Sequence, residues 1–349
     1  MKIGFTSTSA LNNVPRLQTI KLQGQLFNAQ KELQTLRHAD VGVTLGFDAG
    51  QTVALRAERL RIEEMTTSNG LAAVRLDLTQ NALDSMSKTA TDMIGQLFGA
   101  RNSVTGPAAT KESGRAALKS FVDLMNSQLN GNFLFAGINT DVKPVADYFG
   151  TPAPASRTSV DTAFQAYFGF PPGDPQAKQI TATQMQAFLD TSFATLFDSA
   201  NWATNWSSAS DQNIRSRIST NELIDTSANA NEAAFRNIAS AYTMLADLDV
   251  TSLSQTAFQS VVDTATKIIG GAVKDITELQ AGLGVAQSRI KDSNDRMAIQ
   301  ADLIEKHISV LESVDPYEAT TRVNALMTQI ETAYAMTARI QQLSLLKYL

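Results

Sequence analysis

Few side chains in this sequence could carry covalent chemistry. Only two of its 349 residues are histidines, His38 and His307, and none is a cysteine. Disulfides, thiolate nucleophiles and thiolate metal sites are therefore excluded, and histidine-based metal centres or triads lack material. His38 falls at the close of a predicted first helix, where a cation beside the last carbonyls is a sufficient account. His307 falls on a predicted apolar stripe and reads as a hydrogen-bonded packing histidine. Carboxylate neighbours such as Glu63 with Glu64 and Asp292 with Asp295 lie on polar helix faces, where solvation accounts for them. No phosphate-cradling glycine loop and no HExxH pair occurs, and the turn-like run Gly169-Phe170-Pro171-Pro172-Gly173 needs no ligand to explain it. No cofactor and no metal is expected, and an enzyme is the poorer reading.

Composition narrows the partners. A net charge of -5 with 18% charged residues leaves no basic patch for nucleic acid, so none is expected. The residues from Met1 to Ser9 hold no long apolar run, and no stretch of spanning length follows, so neither a cleaved signal peptide nor a membrane anchor is expected.

The elements available to position a site are long helices. Asp315-Pro316-Tyr317-Glu318 reads as a helix start, with Asp315 as cap, Pro316 in the first turn and Glu318 reaching back to the cap. From there Ala319, Val323, Leu326, Ile330, Ala333, Thr337 and Ile340 recur at steps of four and three, and Leu343 and Leu346 widen the stripe. Left in water, that stripe would forfeit several kcal/mol at roughly 25 cal/mol per Å², so it demands a partner. Leu22, Leu26, Ala29, Leu33 and Leu36 repeat the spacing near the other end, on a helix predicted from Pro15 to about Arg37. The two ends are expected to pair as a coiled coil, with the residues before about Asn13 unstructured until a partner orders them.

Between them, Ala39 to Gly50 reads as an extended linker or short hairpin, and Gln51 to Gly99 as one helix about 70 Å long. Its stripe runs from Ile62 through Met65, Asn69, Ala72, Leu76, Thr79, Leu83, Met86, Ala90 and Met93 to Leu97, with a polar interruption at Asn69-Gly70. A second helix is predicted from Thr110 to Gln128, then an Asn130-Gly131 hairpin turn. Six of the nine prolines fall between Pro144 and Pro175, and Trp202 and Trp206 follow, so this middle reads as an insert with a helix near Thr181 to Asp198. Helices return at Asn229 to Leu248 and from Ser252 to Ser313. Gly270-Gly271 and Gly282 with Gly284 predict a break or a close helix contact.

The outcome is a mainly α fold: an elongated antiparallel helical rod with terminal coiled-coil helices and an inserted loop-rich α+β domain. Residues 1–40 with 312–349 form the terminal assembly domain, 41–137 with 229–311 the rod, and 138–228 the insert. The assembly interface is assigned to Leu22, Leu26, Leu33, Leu36, Val323, Leu326, Ile330, Tyr334, Ile340, Leu343 and Leu346.

Several motifs carry a family resemblance. Leu283-Gly284-Val285-Ala286-Gln287-Ser288-Arg289-Ile290 is similar to the LGAxQNRL signature of flagellin-type proteins, with Val285 and Ser288 departing from it. Leu311 to Tyr317 resembles the segment joining their rod to the terminal coil. Phe133-Leu134-Phe135-Ala136-Gly137-Ile138-Asn139-Thr140-Asp141 and the ending Leu343-Ser344-Leu345-Leu346-Lys347-Tyr348-Leu349 resemble the hook-associated junction branch of that family rather than filament flagellin. The resemblance spans both flanks and leaves the middle unmatched. It implies a flagellin-like fold and an axial structural subunit, secreted unfolded through the flagellar type III channel and located outside the cell at the hook-filament junction. Implied partners are the first hook-associated junction protein, flagellin, further copies of the chain in a ring, and an export chaperone on the C-terminal helix. The alternatives are a filament-forming flagellin, an enzyme or glycan-binding module using Asp161, Asp174, Asp190, Asp198 or Asp211 of the middle domain, and a cytoplasmic coiled-coil scaffold.

Overall fold

The computed structural model describes the backbone of residues 8–345 and the side chains of residues 13–339. Among the described residues the fold is mainly α with two short hairpins, and it forms two compact units.

The first unit comprises Met1–Glu64 with Met297–Leu349. Its helix α1 runs Thr8–Thr35, with Pro15 inside it. The helix thus begins before the predicted start, and residues 8–13 are helical rather than unstructured. Leu36 takes a left-handed φ of 52° and ends it one residue past Thr35, short of the predicted Arg37. The expected linker is instead helical: Asp40 accepts a bond from the Val43 N–H and caps α2, Val41–Leu45, and Gly46 at φ 53° leads through a 3-10 turn into α3, Ala49–Ala100. A capping aspartate three residues before an amide outweighs the glycines that suggested an extended strand. Helix α10, Pro316–Leu345, begins as predicted at Asp315, whose carboxylate accepts from the Tyr317 N–H at 2.8 Å. Glu318, expected to reach back, pairs with Arg322 instead at 2.6 Å.

The second unit, Met65–Arg296, holds a continuous hydrophobic core. The α3 stripe from Leu76 to Leu97 is buried as predicted, and α4, Gly106–Met125, returns along it with Leu118, Phe121, Val122 and Met125 inward. Hairpin β1–β2, Gln128–Leu129 with Asn132–Phe133, turns through Asn130 and Gly131 at positive φ. Short helices follow: α5 Ala155–Phe168, α6 Ala182–Phe188 continuing into a π turn at Leu189–Phe193, and α7 Ser199–Asn205. A second hairpin joins β3, Arg215–Ser219, to β4, Glu222–Asp225, and is bulged between Arg217 and Ser219. Helices α8, Ala233–Asp247, and α9, Gln255–Glu312, complete the fold.

Two features organise this core. Trp202 stacks on Trp206 at 5.1 Å and Trp206 on Tyr148 at 5.1 Å, while the Trp202 indole N–H donates to the Ala230 carbonyl and the Asn231 side chain. The middle segment therefore shares one apolar core with the flanking helices instead of closing around its own. Asn69, buried on the α3 stripe, donates to the Ile218 carbonyl at 2.9 Å and to Asn294 at 2.7 Å, and Ser293 donates to that same carbonyl. Asn69-Gly70 does not interrupt the helix, and neither do Gly270-Gly271 or the pair Gly282 and Gly284, which are not buried. The close contact lies at Gly114, where a Cβ would stand 2.6 Å from Leu245 Cβ as α4 meets α8.

Candidate assembly interface

The apolar seam of the first unit forms between α1 and α10. Ala29, Val323 and Leu326 are buried together, and Leu22, Leu26 and Leu33 pack half-buried against them. Ile330 is buried as well. The helices run antiparallel, because Gln23 donates to the Tyr334 hydroxyl at 2.7 Å while Arg322 donates to Glu32 at 2.9 Å. Glu32 is buried, and its other oxygen accepts from the Ala39 N–H at 3.1 Å, so the carboxylate is fully partnered and fixes the register.

The sequence placed Leu36 and Tyr334 on this seam, and both are exposed. Leu36 has left the helix, and its carbonyl accepts from the Val314 N–H at 3.0 Å. Tyr334 meets α1 through its hydroxyl, not its ring face. Ile340, Leu343 and Leu346 lie outside the residues whose side chains are described. The two ends pair within one chain, as their matched spacing predicts. What stays open is a different set: Leu17, Ile20 and Phe27 on α1, with Met327 and Met336 on α10. Sequence reasoning passed these over because the stronger leucine repeat lay beside them, although 17, 20 and 27 fall on a helical spacing of their own.

Below the seam, α3 and α9 are joined by ion pairs. Arg56 grips Glu312 with two nitrogens, at 3.1 and 2.6 Å, and Arg59 pairs with Glu305. Glu312 is buried, and its carbonyl accepts from the His38 N–H at 3.0 Å. His307 is exposed, and Ile308 takes the buried position beside it, so the packing role expected of that histidine is not found. The stripe has drifted by one residue, as a 3.6-residue helix does against a strict heptad.

Four of the carboxylates considered for chemistry in the middle segment have structural partners. Asp174 caps the turn at Gln176, Asp198 caps α7 through the Asn201 N–H, Asp190 accepts from Gln186, and Asp211 accepts from Asn231. Burial, and then the nearby Asp247, raise the Asp161 carboxyl above its ordinary value. Asp247 itself receives the buried Tyr148 hydroxyl at 2.7 Å. A cavity of about 460 Å³ beside α8 and α9 is lined by Asp225, Glu232, Asp275 and Glu278. Asp225 pairs with Arg215 and Glu278 with Lys274. Among the described residues no group of three or more acidic or histidine side chains is placed to hold a metal ion, and no helix is long and apolar enough to cross a membrane.

Residues 6–140 match the family described as the bacterial flagellin N-terminal helical region, and residues 266–349 match the bacterial flagellin C-terminal helical region. Together these matches take in more than half of the chain. No curated protein matches it. Among solved structures, the chain resembles one described as a flagellar hook-associated protein from Vibrio parahaemolyticus, at 11% identity and a TM-score of 0.52, over 76% of this chain and 97% of that one. A second similar structure is FlgL from Bacillus cereus, at 12% identity and a TM-score of 0.49, over 73% of this chain and 99% of the other.

Proposed function

The chain belongs to the flagellin family, and from that premise we propose that it is the axial subunit joining hook to filament in the bacterial flagellum. The observation that carries this reading is the terminal pair itself. Helices α1 and α10 close on each other through Ala29, Val323 and Leu326, yet leave Leu17, Ile20, Phe27, Met327 and Met336 in water, a surface suited to burial among neighbours. Two further features support the junction role over filament flagellin. The segment from Phe133 to Asp141 and the ending LSLLKYL resemble the hook-associated branch, and the fold resembles a structure described as hook-associated.

In this role the chain is secreted unfolded by the flagellar type III route and acts outside the cell. A ring of copies meets the first junction protein on one side and flagellin on the other, through Leu22, Leu26, Leu33 and Leu36 with Val323, Leu326, Ile330, Tyr334, Ile340, Leu343 and Leu346 and the exposed residues beside them. Before export, a chaperone covers the apolar side of α10. The work is structural, not catalytic.

Sheared flagella labelled with an antibody against the chain test this directly. Label confined to the border of hook and filament is the expected result. Label along the shaft would make the chain a filament subunit, and its absence from flagella would overturn the assignment.

A further inference from the structure

The first unit carries two apolar edges that the chain leaves bare. On α3, Val53 and Leu60 are 67% and 56% exposed, and the exposed Ala57 lies between them. On α9, Ile299, Leu303 and Val310 are 71%, 56% and 78% exposed. Steps of four and three residues on α3, and of four and seven on α9, are the spacing of a coiled-coil seam. Isolated exposed leucines need no explanation, but two such rows flanking one helix pair do.

The rows face apart. At about 100° per residue, Val53, Ala57 and Leu60 lie on the side of α3 roughly opposite the buried Ile62, and Ile299, Leu303 and Val310 roughly opposite the buried Ile308. The inner sides are tied by Arg56 to Glu312 and Arg59 to Glu305, so each helix is anchored at its core side and bare at its outer side. A two-fold dimer would cover one kind of row and leave the other in water. A head-to-tail arrangement covers both, because the α9 row of one copy meets the α3 row of the next.

The rows also match in length. Val53 and Leu60 are seven residues apart, and so are Leu303 and Val310. Copies standing side by side in the same orientation bring α3 and α9 together antiparallel, since the two helices are antiparallel within a chain, as the pairs Arg56–Glu312 and Arg59–Glu305 show. Val53 then faces Val310, and Leu60 faces Leu303. We infer that a second copy of this chain is the occupant of each edge, and that the α3–α9 contact is the lateral joint of the ring. This rests on the reading of the chain as a self-assembling axial subunit.

The chain holds no cysteine, so engineered pairs report on one contact at a time. Flagella are isolated from cells making two chains together, one with Leu60→Cys and the other with Leu303→Cys, and are oxidised briefly. A disulfide needs Cβ atoms within about 4.5 Å, so this mixture is expected to give about tenfold more crosslinked dimer than either variant alone. Val53→Cys with Val310→Cys is expected to behave alike. Val53→Cys with Leu303→Cys, about 10 Å out of register, is expected to stay near background. Equal crosslinking by a single variant, or preference for the displaced pair, would overturn the joint. Flagella that contain both chains but give no crosslink would also overturn it while leaving the junction role standing. Absence of the chain from flagella would remove both.

Discussion

The two units are built on different terms. In the second, Trp202, Trp206, Tyr148, Phe164, Phe188 and Phe235 sit in one continuous apolar interior, into which the Trp202 indole and the Tyr148 hydroxyl are hydrogen-bonded. In the first, Ala29, Val323 and Leu326 are the buried cluster, while Leu17, Phe27, Val53, Ile299 and Val310 face solvent. The second unit buries most of its large apolar side chains, whereas the first leaves many of its own in water. The first unit is therefore the half whose stability depends on what surrounds it, and family membership says what that is: other axial subunits.

The sharpest way to break this contrast is at the tryptophan stack. Trp202→Ala is expected to cost the second unit about 3–5 kcal/mol in denaturant unfolding, because it removes a large buried ring and leaves a cavity. Hydrogen exchange of α1 and α10 is expected not to change; a matching loss there would show that the units are not independent. Next comes the seam. Leu326→Asp together with Ile330→Asp puts two carboxylates into a buried strip, costing about 2–3 kcal/mol or more in the first unit. Incorporation into flagella and chaperone binding are expected to be lost while the second unit melts as before, and normal motility would refute this.

A smaller effect is expected at Gly114→Val. The added carbons must push α4 from Leu245 and Ala246, destabilising the second unit by about 1–3 kcal/mol, whereas Gly270→Ala, with open space around it, is expected to be neutral or slightly stabilising on thermal melting. The smallest effect concerns pH. Burial alone would raise the Asp249 carboxyl, but hydrogen bonds from Lys111, Ser252 and Thr251 outweigh it and hold the group below its ordinary value. Its contribution is present above the unfolded carboxylate value near about 3.9 and is lost as pH falls through the lower folded value. The second unit is thus expected to weaken as pH drops below about 4, and Asp249→Asn to flatten that slope by under about 1 kcal/mol. A slope unchanged by the substitution would remove Asp249 from the account.

Much of this was legible in residues whose spacing alone decides their environment. The stripe from Leu76 to Leu97, the Asp315 cap and the Asn130-Gly131 turn are local rules, and the structure follows them. Other features depend on what stands opposite. Gly270, Gly271, Gly282 and Gly284 looked like contact points because glycine permits close approach, but the glycine that lets two helices meet is Gly114, between α4 and α8. Asp40 could be recognised as a cap only if five residues were allowed to be a helix. The displacement of His307 by Ile308 came from the slow rotation of a long helix relative to a seven-residue repeat. The interior shared by Trp202 and α8 joins residues far apart in sequence, and no periodicity records it. The candidate interface was half legible: Leu22, Leu26, Leu33, Val323 and Leu326 are brought together as their spacing predicts, whereas Leu36 and Tyr334 are exposed. The rows on α3 and α9 were missed because they occupy the side of each helix that a search for a core discards.

The bond pattern at Asn69 has a mechanical consequence. Greasy helix faces slide past one another readily, since one methyl replaces the next. An amide seated between Ile218 and Asn294 does not permit this, because sliding α3 along α9 by one heptad, about 10 Å, would strand buried donors at about 1–3 kcal/mol each. Under shear, this point acts as a key in a slot: the two helices are held against slippage by a polar tooth, whatever their oily surfaces contribute to keeping them together.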